Sequence, residues 1–161
     1  MGAAFLAAFS DQFLIIQETN TMVLVSRPIT FIDIAELKPH EEIKEKKFSG
    51  FLKFASKLQR ERLKTKPIWI DAKTKVILDG HHRYTVFKEL GCKIVPCIEV
   101  DYLNDKSISV LPRRQDIPVS KELVIERGLS GKPFPPKTTK HVFSEEAPMM
   151  WVNLRKLRIE N

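Results

Sequence analysis

The chain has little cysteine, little histidine and no long apolar run, and each shortage removes a class of function. Its two cysteines, Cys92 and Cys97, have no histidine at metal-ligand spacing. That argues against a disulfide framework and a thiolate metal site, and it marks both as reduced core residues of a cytoplasmic protein. Their separation of five would place them on opposite faces of one strand. No stretch is long and apolar enough to span a membrane. The run from Met1 to Phe9 has the flavour of a signal-peptide core, but it lacks a positive start and meets Asp11 and Gln12 early. Leu6 stands where a myristoylation signal prefers serine or threonine. Residues 1–21 are therefore expected to be an N-terminal extension, and 22–161 one domain. Acidic residues are also short. Twenty Asp and Glu stand against 27 Lys and Arg, giving a net charge of +7 and a pI near 9.5. This balance calls for an anionic partner: a nucleotide, a nucleic acid or a membrane surface.

What is present suits one globular domain. The chain has 161 residues, 43% hydrophobic and 29% charged, enough to bury a core. Phe13–Ile16, Met22–Val25 and Phe31–Ile34 are strand candidates, and Pro39 keeps Lys38 out of helical geometry. Apolar residues recurring at three and four from Ile43 to about Arg62 predict a helix, its other faces covered by solvated lysine and arginine. Pro67–Asp71 and Val76–Leu78, joined by the turn Ala72–Lys75, predict a hairpin. A helix follows over His81–Leu90, then a strand over Ile94–Val100, with Pro96 indicating an edge or a bulge. Ile108–Val110 reads as a strand and Pro112–Asp116 as an exposed loop. Ser120 caps a helix over Lys121–Arg127, with Gly128 as its stop. Gly131–His141 reads as irregular. Trp151, Leu154, Leu157 and Ile159 give the tail enough apolar weight to dock. Helices alternating with hairpins in one short chain imply the α+β class.

Chemistry concentrates in three segments, which together hold all four histidines. The first is Asp79-Gly80-His81-His82-Arg83, where a β-branched run ends and a helix opens. Asp79 is placed to cap that helix, and Gly80 allows close approach to the backbone. Free amides and the helix dipole favour an anion there, and two histidines and an arginine add donors. The second is His40-Glu41-Glu42, carried on a loop or helix start behind Pro39. The third is Pro135-Pro136-Lys137-Thr138-Thr139-Lys140-His141. If extended, it turns Lys137, Thr139 and His141 to one side, where they could hold a small carboxylate or a phosphate.

These segments, in this order, resemble the free serine kinases of the ParB/sulfiredoxin superfamily, over about Ile34 to His141. The resemblance implies a single α+β domain with a small mixed sheet and packed helices. It implies transfer of a phosphoryl group from ADP or ATP, with Mg2+, to free L-serine, giving O-phospho-L-serine. By motif, Glu41 would match the general base that takes the serine hydroxyl proton. Asp79, Gly80, His81, His82 and Arg83 would match the phosphate-binding segment. Lys137, Thr139 and His141 would match the segment that grips the amino acid, with Lys137 facing its carboxylate. Sulfiredoxins carry a reactive cysteine where this chain has His81, which argues against sulfinic chemistry. ParB partition proteins continue into a helix-turn-helix domain, for which about twenty residues after His141 leave no room, so a nucleic-acid partner is not expected. The competing expectation is a non-catalytic ParB-like regulator that binds nucleotide or DNA.

Overall fold

The structure, a computed structural model, describes residues 13–16, 22–25, 27–44 and 61–158. Strands β1 (Phe13–Ile16) and β2 (Met22–Val25) pair antiparallel with each other. After them, β3 (Ile29–Asp33) leads through a 3-10 turn, whose cap Asp33 accepts the Ala35 N–H, into the short β4 (Lys38–Pro39). Strand β5 (Arg62–Thr65) precedes the hairpin of β6 (Ile68–Asp71) and β7 (Val76–Asp79). Helix α1 (His81–Glu89) and β8 (Ile94–Val100) follow, then β9 (Ile108–Pro112) and α2 (Lys121–Ser130). Strands β10 (Thr139–Phe143) and β11 (Met150–Asn153) and helix α3 (Leu154–Arg158) complete the described chain.

Among the described residues the central sheet runs β3-β8-β6-β7-β4. Its β6–β8 and β4–β7 pairs are parallel and its other pairs antiparallel, so it is the small mixed sheet of an α+β protein. Side chains alternate across a strand, so β6 and β7 feed two apolar layers. Ile68, Ile70 and Ile77 point to a layer completed by Phe87 of α1 and by Val152, Leu154 and Leu157. Trp69, Val76 and Leu78 point to the other, completed by Tyr102, Phe134 and Val124 and Ile125 of α2. With both faces covered, β6 is buried at every residue, which is why its sequence is nearly all apolar. The turn between β6 and β7 is pinned by buried Asp71, which accepts from the amide and hydroxyl of Thr74 and from the Tyr102 amide.

Several local expectations change. Ile43 and Lys44 are irregular and Arg62 opens β5, so the helix expected over 43–62 is absent at both ends; residues 45–60 lie outside the described residues. Pro96 is not on an edge, since β8 pairs with β3 and β6. Pairing with β6 begins at Cys97, one residue beyond the proline, so only one side of the strand has to accommodate it. Cys92 lies before β8, so strand alternation does not apply to it, and both thiols are buried in the α1 layer. Gly128 does not stop α2; the helix continues to Ser130 and ends at left-handed Gly131. A Cβ at Gly128 would stand 2.6 Å from both Val76 methyl carbons, so the glycine serves close packing of α2 on β7. Within 131–141, Phe134 and Thr138 are fully buried and β10 starts at Thr139. In the tail, Val152, Leu154 and Leu157 are buried, whereas Trp151 stays exposed beneath Arg62 and Lys64; Ile159 lies outside the described residues. No helix among the described residues is long and apolar enough to cross a membrane.

Candidate active site

The β7–α1 junction builds one wall of the site. Gly80 has φ 109°, a conformation open to glycine, and a Cβ there would meet Arg83 Nη2 at 2.8 Å and Ile68 Cγ1 at 3.2 Å. The junction corrects the expected cap. Asp79 ends β7 and its carboxylate accepts from Arg83 Nη2 at 2.9 Å, and α1 starts at Gly80 with no side-chain cap. The first-turn amides of α1 are therefore left to a ligand or to water. Among the described residues Arg83 Nε is buried without a hydrogen-bond partner, a donor of the kind an anion would satisfy.

The second wall is assembled across the chain. The Phe134 amide donates to the His40 carbonyl and the Phe134 carbonyl accepts from the Glu42 amide, which bridges the His40–Glu42 loop to the third segment. Glu41 then receives three hydrogen bonds: Lys137 N to Oε1 at 2.7 Å, Thr139 N to Oε2 at 2.8 Å and Thr139 Oγ1 to Oε2 at 2.6 Å. His40 is fully buried, with Nδ1 2.5 Å from the Ile77 carbonyl and Nε2 2.9 Å from Thr139 Oγ1. Its ring lies edge-on to His81 at 4.6 Å and to His141 at 5.4 Å between centroids. His81 Nε2 accepts the His40 amide at 3.2 Å, and Tyr102 Oη lies 2.8 Å from His141 Nε2.

The protonation of this cluster follows from enclosure. Burial, then the neighbouring His40, His141, His82 and Arg83, holds His81 well below the ordinary histidine range. Burial, then His40 and Lys121, pushes His141 down to about 3. Burial raises the Tyr102 hydroxyl, helped by Glu122 and Asp71, so it is the phenol that donates and the His141 imidazole that accepts. At neutral pH these two imidazoles are uncharged hydrogen-bonding groups.

The walls enclose a cavity of about 430 Å3. Glu41, Asp79, Gly80, His81, His82, Arg83, Thr139 and His141 all line it, so eight of the nine residues singled out from sequence share one space. Lys137 does not line it. It sits ahead of β10 with φ 59°, so strand alternation does not reach it, and it acts on the site through its amide on Glu41. Arg113 and Lys140 also line the cavity, and neither was singled out. Arg113 carried no local signal: it reaches the site because β9 pairs with β10 and its amide bonds the Thr138 carbonyl. Tyr102, likewise unforeseen, is found only through its partner His141. Among the described residues no group of three or more His, Cys, Asp or Glu is arranged to hold a metal.

The fold is one shared with solved free serine kinases. A solved free serine kinase in complex with AMP superimposes with a TM-score of 0.67 over 80% of this chain and 93% of that one, at 17% identity, which establishes the shared fold. In sequence, the chain is 35% identical over 78 residues to an ATP-dependent L-serine kinase of Staphylothermus marinus, covering 46% of this chain and 30% of that protein. It is 31% identical over 80 residues to the ADP-dependent L-serine kinase SerK of Thermococcus kodakarensis, covering 47% and 31%. The chain thus matches about a third of the length of these curated relatives. No family model matches.

Proposed function

We propose that the chain is a cytoplasmic nucleotide-dependent phosphotransferase that moves a phosphoryl group from ADP or ATP to the hydroxyl of free L-serine, giving O-phospho-L-serine. The observation that carries this reading is the state of Glu41. Three donors fix its carboxylate and occupy three of its four lone-pair positions, leaving one on Oε1 at a cavity that also holds the open start of a helix. A positioned carboxylate with one free lone pair is what proton abstraction from an alcohol requires. Phosphoryl transfer otherwise asks for alignment and for positive charge around the moving group.

In this reading the α1 amides with Gly80, His81, His82 and Arg83 hold the nucleotide phosphates, and the unpartnered Arg83 Nε takes one phosphate oxygen. Thr139 and His141 position serine. Arg113 and Lys140, the cations on that side of the cavity, grip its carboxylate, and Lys137 contributes the amide that orients Glu41. Mg2+ usually keeps several waters and binds through one or two carboxylates plus substrate phosphates. Asp79, half exposed on the cavity wall, suits such an ion and would hold it; when bound, it neutralises phosphate charge. A non-catalytic ParB-like regulator would leave the arrangement around Glu41 without a use.

The test is direct detection of O-phosphoserine with L-serine, Mg2+ and ADP or ATP. Glu41→Gln keeps the shape and removes the base, so turnover should fall by at least about 10²-fold while nucleotide affinity stays within a few-fold. A fully active Glu41→Gln variant would remove Glu41 from the role of base.

A further inference from the structure

We infer that His40 is a positioning residue for Glu41: joined through the Thr139 hydroxyl, the two share one proton beyond those of a neutral histidine and a carboxylate. That proton rests on the imidazole and keeps Glu41 ionised. The inference deepens the kinase reading above and rests on Glu41 as the base.

The partners along this buried chain fix its proton count. The Ile77 carbonyl can only accept, so His40 Nδ1, 2.5 Å away, carries a hydrogen. At the other end Thr139 Oγ1 lies 2.6 Å from Glu41 Oε2 and 2.9 Å from His40 Nε2, and the hydroxyl has one hydrogen to give. If it goes to Glu41, then Nε2 must donate to Oγ1 and the imidazole holds both protons. If it goes to His40, then the short contact to Glu41 needs a proton on the carboxyl. Both arrangements contain the same extra proton. The backbone amides of Lys137 and Thr139 choose between them, because hydrogen bonds donated to a carboxylate favour its ionised form.

The surroundings permit a charged ring at His40. Burial lowers this imidazole from its ordinary value, opposed by the Ile77 carbonyl and the Glu41 carboxylate. The Thr139 oxygen adds a third acceptor to that opposing side. His81 presents a lone pair to the His40 amide and His141 presents one to Tyr102, so neither neighbour needs to be charged. Arg83, Arg113, Lys140, Asp79 and Glu42 line the cavity, and Lys121 acts on the neighbouring His141. In the reaction, the serine O–H bond breaks and its proton goes to Glu41 Oε1. The oxygen's electron pair forms the new O–P bond, and the old bridging O–P bond breaks with its pair leaving on the nucleotide.

The experiment pairs Thr139→Val, which keeps the shape and deletes the hydroxyl, with Thr139→Ser, which restores it. Nitrogen-15 NMR of the full chain without ligands should show both ring nitrogens of His40 protonated at pH 7 in the parent and in Thr139→Ser, and only one in Thr139→Val. Phosphoserine formation should fall in Thr139→Val, where the carboxylate loses a donor, and return in Thr139→Ser. A parent His40 protonated on Nδ1 alone at pH 7 overturns the inference. So does a Thr139→Val spectrum in which both ring nitrogens of His40 stay protonated. The NMR reading needs no turnover, so failure of the kinase reading would be seen separately.

Discussion

Helices α1 and α2 cover opposite faces of one sheet, yet they begin in opposite ways. Helix α2 closes its own start: Ser120 Oγ accepts the Leu123 amide at 3.2 Å, Glu122 lies in the first turn, and left-handed Gly131 ends the helix. These are the arrangements that satisfy orphan amides and suit the helix dipole. Helix α1 has none of them at its start. Its N-cap is a glycine, its first turn has no acidic residue, and its first three residues are His81, His82 and Arg83. Arg83 there is paired with the Asp79 carboxylate, and the helix amides have no side-chain acceptor. One helix therefore closes its own start, and the other leaves its first amides to a ligand or to water. Local stability is given up where binding is gained.

The contrast breaks most severely at Gly80. In Gly80→Ala a Cβ at φ 109° costs about 1–3 kcal/mol of strain and drives into Arg83. Calorimetric titration should find nucleotide affinity reduced more than about tenfold, equal to about 1.4 kcal/mol. Retained affinity would mean that the α1 start is not where phosphates bind. Gly128→Ala attacks the other helix, forcing a methyl into Val76, and should cost about 1–3 kcal/mol in urea denaturation. Nucleotide affinity should stay within a few-fold, and a loss comparable to that of Gly80→Ala would mean that the two helices are not separable.

Acid tests the cavity against the core. The folded state holds His141 neutral down to about 3, whereas an unfolded histidine takes a proton near 6.5. Between those values the unfolded chain binds more protons, so stability falls as pH falls across that window and is unaffected by this residue above it. Stability measured from pH 7 to 4 should therefore decline, and less steeply in His141→Gln. Equal slopes would show that His141 takes up protons while folded. The smallest effect belongs to Ser120→Ala, which should cost about 1 kcal/mol by loss of the cap and leave nucleotide affinity unchanged. A shift in affinity there would tie the α2 start to the site.

Legibility followed the range of the interactions. The β6–turn–β7 hairpin, the switch to α1 at Gly80 and the Ser120 cap could be read because alternation, turn residues and caps act over a few neighbours. Asp79 was misread as a cap because Arg83, four residues on, competes for its carboxylate with the helix amides. Gly128 was misread as a stop because its reason lies on another strand, at Val76.

By itself, then, the sequence determined the α+β pattern, the glycine-led helix start with its His-His-Arg turn and the three segments that meet at the cavity, since each is written in adjacent residues. Only the tertiary structure decided their assembly. His40 meets His81 across 41 positions and Thr139 across 99, and Arg113 enters through the β9–β10 pairing. It decided the chemistry as well, because protonation depends on enclosure. Packing and long-range hydrogen bonds leave His81 and His141 neutral and set three donors on Glu41, and the order of residues along the chain contains neither the burial nor the distances that do so.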